Sequence, residues 1–242
     1  MTVMTDAPPA FRPLYRQVKE RLVARLIDGT WPPGVPLPSE QQLAQELGVS
    51  QGTVRKALDS MTGEHLLVRA QGRGTFVAEF EDRRALFRFF RLIGDDDNQQ
   101  FPESSVTSLR RRTAELAQRQ QLQLRKGDKV WSIERTRRLG GLPIVAETII
   151  LPVVLFPGLD EMEAIPNNVY SLYASRFGLT VAHVKEKLKA ILASGQDAAV
   201  LNCSKGTPLL RIDRIARSLN GNPIEWRVSR CLTEQYHYLS EL

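Results

Sequence analysis

The stretch LPSEQQLAQELGVSQGTVRKAL, Leu37 to Leu58, decides the reading of this chain. Ser39 carries a side-chain oxygen that can accept the orphan amide of a helix start, and Gln42, three residues on, can reach back to the Ser39 amide. A helix over residues 40–47 is therefore expected. Gly48 then stands where a helix end needs a left-handed residue, and Ser50 can cap the next helix, expected over 51–63. Two short helices joined by such a turn form the helix-turn-helix unit, whose second helix enters the major groove by its N-terminal residues. In that second helix Val54, Leu58 and Met61 recur at helical spacing and face inward, which leaves Gln51, Thr53, Arg55 and Lys56 outward.

Upstream, Pro13 sits where a helix can begin, and Leu14, Val18, Leu22 and Leu26 follow every four residues up to Asp28-Gly29. Residues 1–10, with two prolines and no hydrophobic period, read as a disordered lead-in. Downstream, Leu66–Arg69 and Thr75–Val77 flank Gln71-Gly72-Arg73-Gly74, a hairpin whose glycine-rich tip can approach another backbone. The blocks PLY, LPSE, LA-x2-LGVS, TVR-x-AL and QGRGTFV, spread over Pro13–Val77, resemble the winged helix-turn-helix domain of the GntR family of bacterial transcription regulators. That resemblance implies contacts to operator DNA from the starts of the second and third helices and from the wing. The matching positions are Ser39, Gln41, Gln51, Thr53, Arg55, Lys56, Gly72 and Arg73. Arg55 can pair bidentately with a guanine edge, and Thr53 suits a phosphate. The chain departs from the family's pattern at Gln41 and Gln51, where arginine is frequent, and at Gly52. Glutamine prefers adenine, so the operator is expected to differ at the bases facing residue 51.

The chain has 242 residues, 42% hydrophobic and 25% charged, as expected of a folded chain of one to two domains. Cys203 and Cys231 form no CxxC, and with His65, His183 and His237 they lack the spacing of a metal cluster, so no metal and no cofactor is expected. The most apolar stretch, Leu142 to Leu159, is interrupted by Glu147, Pro152 and Pro157, so it offers no membrane span. The first eleven residues contain Asp6 and no Lys or Arg, which is the wrong charge for a secretory signal, and a cytoplasmic protein is expected. The net charge of +6 suits a polyanionic partner but is spread along the chain, so the nucleic-acid reading rests on local pattern.

The second half contains an echo. Lys126-Gly127-Asp128-Lys129-Val130-Trp131-Ser132-Ile133-Glu134-Arg135 parallels Lys205-Gly206-Thr207-Pro208-Leu209-Leu210-Arg211-Ile212-Asp213-Arg214, and Gly140-Gly141-Leu142-Pro143-Ile144 parallels Asn220-Gly221-Asn222-Pro223-Ile224 with one inserted residue. Two hairpins with primed-type turns and a duplication are expected. Alternation puts Trp131, Ile133, Arg135, Arg137 and Leu139 on one face, where buried guanidiniums need carboxylates or an anionic ligand. An ion pair with Glu134 or Glu147 is the competing explanation. Simple two-residue hairpin register sets Glu147 opposite Glu134, so a meeting with Arg135 requires a bulge after Pro143.

The segments ERTRRLGGLPIVAETIILPVVLFPGL, SLYASRFGLT and KGTPLLRIDRIARSLNGNPIEW are similar to the effector-binding domain of the HutC subfamily of GntR regulators, which is related in fold to chorismate lyase. The resemblance implies an α+β chain: a winged helix-turn-helix domain over 11–78, a linker over 79–105, and an antiparallel-sheet α/β domain of chorismate-lyase-like fold over 106–242 that binds an effector and pairs as a homodimer. It assigns the effector's anionic group to Arg135 and Arg137, and polar contacts to Glu147, Ser171, Tyr173 and Glu225. Phe90 and Cys231 stand where sugar-phosphate-sensing members often carry hydroxyl groups. The small anionic effector is therefore an organic carboxylate or a phosphorylated metabolite. The expected function is a ligand-responsive, sequence-specific repressor. A catalytic lyase-like domain is the first rival, although no Ser-His-Asp arrangement supports it. An architectural DNA-binding protein is the second.

Overall fold

The computed structural model describes residues 13–27, 30–32, 34–64, 66–78, 90–96 and 102–240. The expected lead-in, the Asp28-Gly29 helix stop, His65 and much of the expected linker lie outside the described residues. The chain forms two compact units, Met1–Ala78 and Glu79–Leu242.

In the first unit α1 (Leu14–Ile27), α2 (Glu40–Leu47) and α3 (Gln51–Gly63) precede the hairpin β1 (Leu67–Ala70) and β2 (Gly74–Val77). The local chemistry explains these bounds. Ser39 Oγ accepts from the Gln42 amide at 3.2 Å while Gln42 Oε1 accepts from the Ser39 amide at 2.9 Å, which closes the capping box. Gly48, at φ 66°, ends α2 in the left-handed conformation, and Ser50 Oγ accepts from the Thr53 amide at 3.2 Å to start α3. Val18, Leu22, Leu43, Val54, Ala57, Leu58 and Met61 make the buried core, so α3 turns one face inward and leaves its N-terminal half outward. The Leu37 amide donates to Thr75 O at 2.8 Å, tying the start of α2 to the wing.

The second unit is a six-stranded antiparallel sheet in the order β4-β5-β6-β9-β8-β7, built from β4 (Glu103–Thr113), β5 (Lys129–Leu139), β6 (Leu142–Pro152), β7 (Val181–Leu192), β8 (Pro208–Ser218) and β9 (Pro223–Leu232). The helix α4 (Leu116–Leu122) joins β4 to β5, α5 (Val169–Phe177) precedes β7, and α6 (Gly195–Leu201) joins β7 to β8. A separate pair, β3 (Leu92–Gly94) and β10 (Tyr236–Tyr238), is antiparallel. The sheet unit therefore begins before residue 106: β3 and the start of β4 fall inside the segment expected to be linker.

The echo extends further than the hairpins. Each half is a strand, a short helix and a hairpin, and the two hairpins meet where β6 pairs with β9. The Ala114 amide donates to Asp128 O at 2.8 Å and the Ala193 amide to Thr207 O at 2.8 Å, at matching places. Gln123 and Asn202 both close their helices at positive φ. The turns differ. Gly140 and Gly141 both have positive φ, as a primed two-residue turn requires, whereas in the second hairpin only Gly221 does. There the Gly221 amide donates to Ser218 O and the Ser218 amide to Asn222 O, both at 2.9 Å. This longer turn accommodates the inserted residue and replaces the primed turn expected from the sequence.

Both hairpins contain a bulge at the Pro-Ile step. Pairing runs Leu139 to Leu142 and Arg138 to Pro143, then skips Ile144 to join Arg137 to Val145; likewise Arg217 pairs with Pro223 and Ala216 with Glu225. The first bulge puts Glu147 opposite Arg135. Helices cover both sides. Trp131, Ile133, Ile149 and Leu151 pack with Tyr170, Leu172 and Tyr173 of α5, and Trp131 Nε1 donates to Phe156 O at 2.9 Å. On the opposite face Val130 and Ile150 pack with Leu122 of α4, and Ala146 and Leu209 with Leu201 of α6.

Candidate functional site

Two surfaces collect the residues expected to function, one in each unit. On the first, Gln41, Gln51 and Arg55 are exposed, and Gln41, Gln51 and Thr53 line one depression beside the turn between α2 and α3. Arg55 Nε donates to Glu40 Oε2 at 2.9 Å, and Nη2 lies 2.8 Å from the same oxygen as an ion pair. Gly72 adopts φ 72° at the wing tip, and the Arg73 guanidinium lies 5.9 Å from the centre of the Phe76 ring. Two expected residues are used otherwise in this state. Ser39 spends its hydroxyl on Gln42 within the cap, and Lys56 places its ammonium 4.6 Å over the Tyr15 ring. Thr53 Oγ1 lies 2.9 Å from Ser50 Oγ. Glu40 and Arg69, which sequence reading passed over, join this surface: Arg69 pairs with Asp59 at 2.7 Å and reaches Glu40 at 3.5 Å.

On the second surface, the face of the sheet covered by α5, strand alternation brings Arg135, Arg137, Glu147, Arg214, Glu225, Arg227 and Ser229 together, all buried. Arg135 Nε donates to Glu147 Oε2, Ser229 Oγ donates to Glu147 Oε1 at 2.8 Å, and Arg227 approaches the same oxygen at 3.7 Å. Glu225, with no exposure, accepts from Tyr170 at 3.0 Å, from Tyr173 at 2.7 Å and from Arg227 at 3.0 and 2.6 Å. Arg214 donates to Glu186 at 2.6 Å. Arg137 reaches Asn167 Oδ1 at 3.4 Å and lies 4.6 Å from the centre of the Phe90 ring. Ser104, its neighbour across β4 and β5, has a buried hydroxyl without a hydrogen-bond partner among the described residues.

Ser171 does not reach this cluster. On α5, Tyr170 and Tyr173 are three residues apart and share the face that meets Glu225, while Ser171 is rotated about 100° from Tyr170. On this face Tyr170, which sequence reading did not single out, meets Glu225 beside Tyr173. The echo itself pointed to two of the residues sequence reading missed: Arg214 answers Arg135, and Arg227, shifted by the insertion, answers Glu147.

Among the described residues this face holds four buried guanidiniums (Arg135, Arg137, Arg214 and Arg227) against three carboxylates, those of Glu147, Glu186 and Glu225. The gathering of cations has local consequences. Burial pushes the Arg137 guanidinium down to about 9; Glu147 opposes the shift, while Arg135, Arg227 and Arg214 add to it. Burial alone would raise the Glu147 carboxyl, yet Arg135, Arg227 and Arg137 outweigh it and hold the group well below the usual carboxylate range. Burial and then Glu225 push Tyr170 up to about 12, so it stays a hydroxyl donor.

The Glu147 shift makes a pH prediction. A carboxyl with a lowered folded-state value stabilises the fold fully above the ordinary glutamate value of about 4.3 and loses that contribution as pH falls toward its depressed value. Urea unfolding should show the parent about 3–5 kcal/mol more stable than Glu147→Gln at neutral pH. That gap should narrow as the pH is taken below 4. A gap independent of pH would contradict the ion-pair assignment.

Comparison with known proteins adds independent findings. The UTRA domain model matches residues 98–237, and the model of bacterial regulatory proteins of the gntR family matches residues 14–77. The histidine utilization repressor of Pseudomonas putida is 32% identical over 204 residues, covering 84% of this chain and 81% of that protein. The HTH-type transcriptional repressor NagR of Bacillus subtilis is 29% identical, covering 95% of this chain and 96% of its own. The ligand-binding domain of a GntR-family transcriptional regulator from Bordetella bronchiseptica superposes with a TM-score of 0.58 at 33% identity, over 63% of this chain and 96% of that one.

Proposed function

The chain belongs to the GntR family of bacterial transcription regulators, in the HutC-type branch whose second half is a UTRA domain, and from that premise we propose that it is a homodimeric repressor released from its operator by a small organic carboxylate. Regulation through DNA, not catalysis, is the activity of this family. The effector reading rests on one observation, the gathering of Arg135, Arg137, Arg214 and Arg227 with Glu147 and Glu225 in one buried cluster on the sheet face under α5. Burying guanidiniums is costly unless anions answer them, and a small carboxylate is the kind of ligand that such a cluster of cations receives. Phe90, Tyr170 and Tyr173 give that anion aromatic neighbours, and Cys231 and Phe90 supply no hydroxyls for the extra charge of a phosphate ester. Arg137 and Ser104 are the groups best placed to meet the carboxylate.

Dimerisation would set the separation of the two recognition helices to half-sites about 34 Å apart, and a ligand that favours another separation lowers operator affinity. The protein would act in the cytoplasm, with its DNA. Thermal-shift screening with aromatic carboxylates, aliphatic carboxylates and sugar phosphates, followed by operator release assays, tests this reading. A carboxylate at about 100 times its Kd should stabilise the protein by about 2.7 kcal/mol and release the duplex. Response to sugar phosphates alone would overturn the carboxylate assignment, and unaltered operator affinity with every stabilising ligand would favour an architectural role.

A further inference from the structure

We propose that Glu40 is a positioning residue for base readout, fixing the orientation in which Arg55 and Gln51 meet the operator. It is the first residue of α2, yet its contacts lie on other elements. Glu40 Oε2 accepts from Arg55 Nε at 2.9 Å and from Gln51 Nε2 at 3.4 Å and lies 2.8 Å from Arg55 Nη2, while Oε1 faces Arg69 of β1 at 3.5 Å. One carboxylate thus joins the starts of α2 and α3 to the wing.

The stereochemistry of the contact matters more than its strength. A guanidinium has two edges that can engage an acceptor pair: the side formed by Nε and one Nη, and the end formed by both Nη groups. Glu40 occupies the side edge of Arg55, and the end edge formed by both Nη groups is the one that matches guanine O6 and N7. Gln51 donates an amide hydrogen to the same carboxylate, which fixes which end of its side chain is nitrogen and leaves its oxygen for an amino group on a base. The Arg55 side chain is 57% exposed and that of Glu40 only 23%, so the acid lies behind the arginine as a support. Surface ion pairs add little stability, and the consequence here is orientation. A carboxylate at a DNA-facing surface also repels phosphates, so Glu40 trades general affinity for selectivity.

The test uses the full-length chain with a duplex carrying its selected operator and a scrambled duplex of the same length, at fixed salt. Glu40→Gln should bind the scrambled duplex as well as the parent or better, while the ratio of operator to scrambled affinity falls about tenfold. Selection from randomised duplexes should show the loss at the bases facing Arg55 and Gln51. The double-mutant cycle with Arg55→Ala separates positioning from a structural role: on the Arg55→Ala background, Glu40→Gln should lower the discrimination ratio only about threefold or less, with the remaining loss confined to the bases facing Gln51. An unchanged ratio in Glu40→Gln, or an equal loss on both backgrounds, overturns the proposal. If Glu40→Gln lowers the melting temperature of the first unit, Glu40→Asp, which keeps the charge and shortens the reach, supplies the same readout.

Discussion

Arg55→Ala is expected to weaken operator binding about 100-fold while leaving affinity for a scrambled duplex within a few-fold of the parent. Each bidentate contact to a guanine edge contributes about 1–3 kcal/mol of discrimination, and a symmetric dimer loses it at both half-sites. The fold should tolerate the change. The Arg55 side chain is largely exposed and its ion pair with Glu40 lies at the surface, where such pairs contribute about 0–1 kcal/mol. Fluorescence anisotropy on both duplexes at one salt concentration measures the split. Ligand-induced stabilisation of the second unit should remain. An equal loss on the two duplexes would mean that Arg55 serves only as a cation for phosphates.

The second large effect is expected at Arg137. Arg137→Met should weaken effector binding about 10- to 100-fold, as removal of a charge-assisted hydrogen bond does, and abolish operator release at ligand concentrations that act on the parent. The apo protein should unfold at the same temperature or a higher one, because the substitution removes a buried cation that three neighbouring guanidiniums destabilise. Arg135 behaves differently. It holds Glu147, and Arg135→Ala leaves that buried carboxylate with less compensation, at a cost of about 3–5 kcal/mol in stability. Loss of ligand response in Arg135→Ala would therefore confuse binding with folding, whereas Arg137→Met separates them. Isothermal titration and thermal melts on the same preparation check both halves. Full ligand affinity in Arg137→Met would place the anion elsewhere.

The DNA-binding unit was legible because its signals are local. Ser39, Gln42, Gly48 and Ser50 act within four residues of themselves, so their caps and turn could be read before any tertiary contact was known. The effector face was legible in part. Alternation put Arg135 and Arg137 on one side, and the need for a bulge if Glu147 was to meet Arg135 followed from counting register. That the bulge lies at Ile144 depends on packing that no local pattern states. Arg227 and Ser229 reach the cluster through the pairing of β6 with β9, strands separated by two helices and two strands. Such pairing is invisible to periodicity. Ser171 stands apart from the cluster for another reason: Tyr170 and Tyr173 of α5 meet Glu225, a partner on a distant strand, and Ser171 is not on their face. Glu40 escaped notice because a glutamate at a helix start already has a local explanation in the macrodipole.

The doubled architecture of the sheet unit has a consequence for how such a receptor diversifies. In an assembly of two identical subunits, every amino-acid change arrives twice, once on each side of the axis. Joined in one polypeptide, the halves are released from that constraint, and the positions answering each other here already carry opposite signs: Glu147 on one side, Arg227 on the other. A lopsided guest can therefore be matched one flank at a time, and new chemical preferences can arise without disturbing the opposite flank.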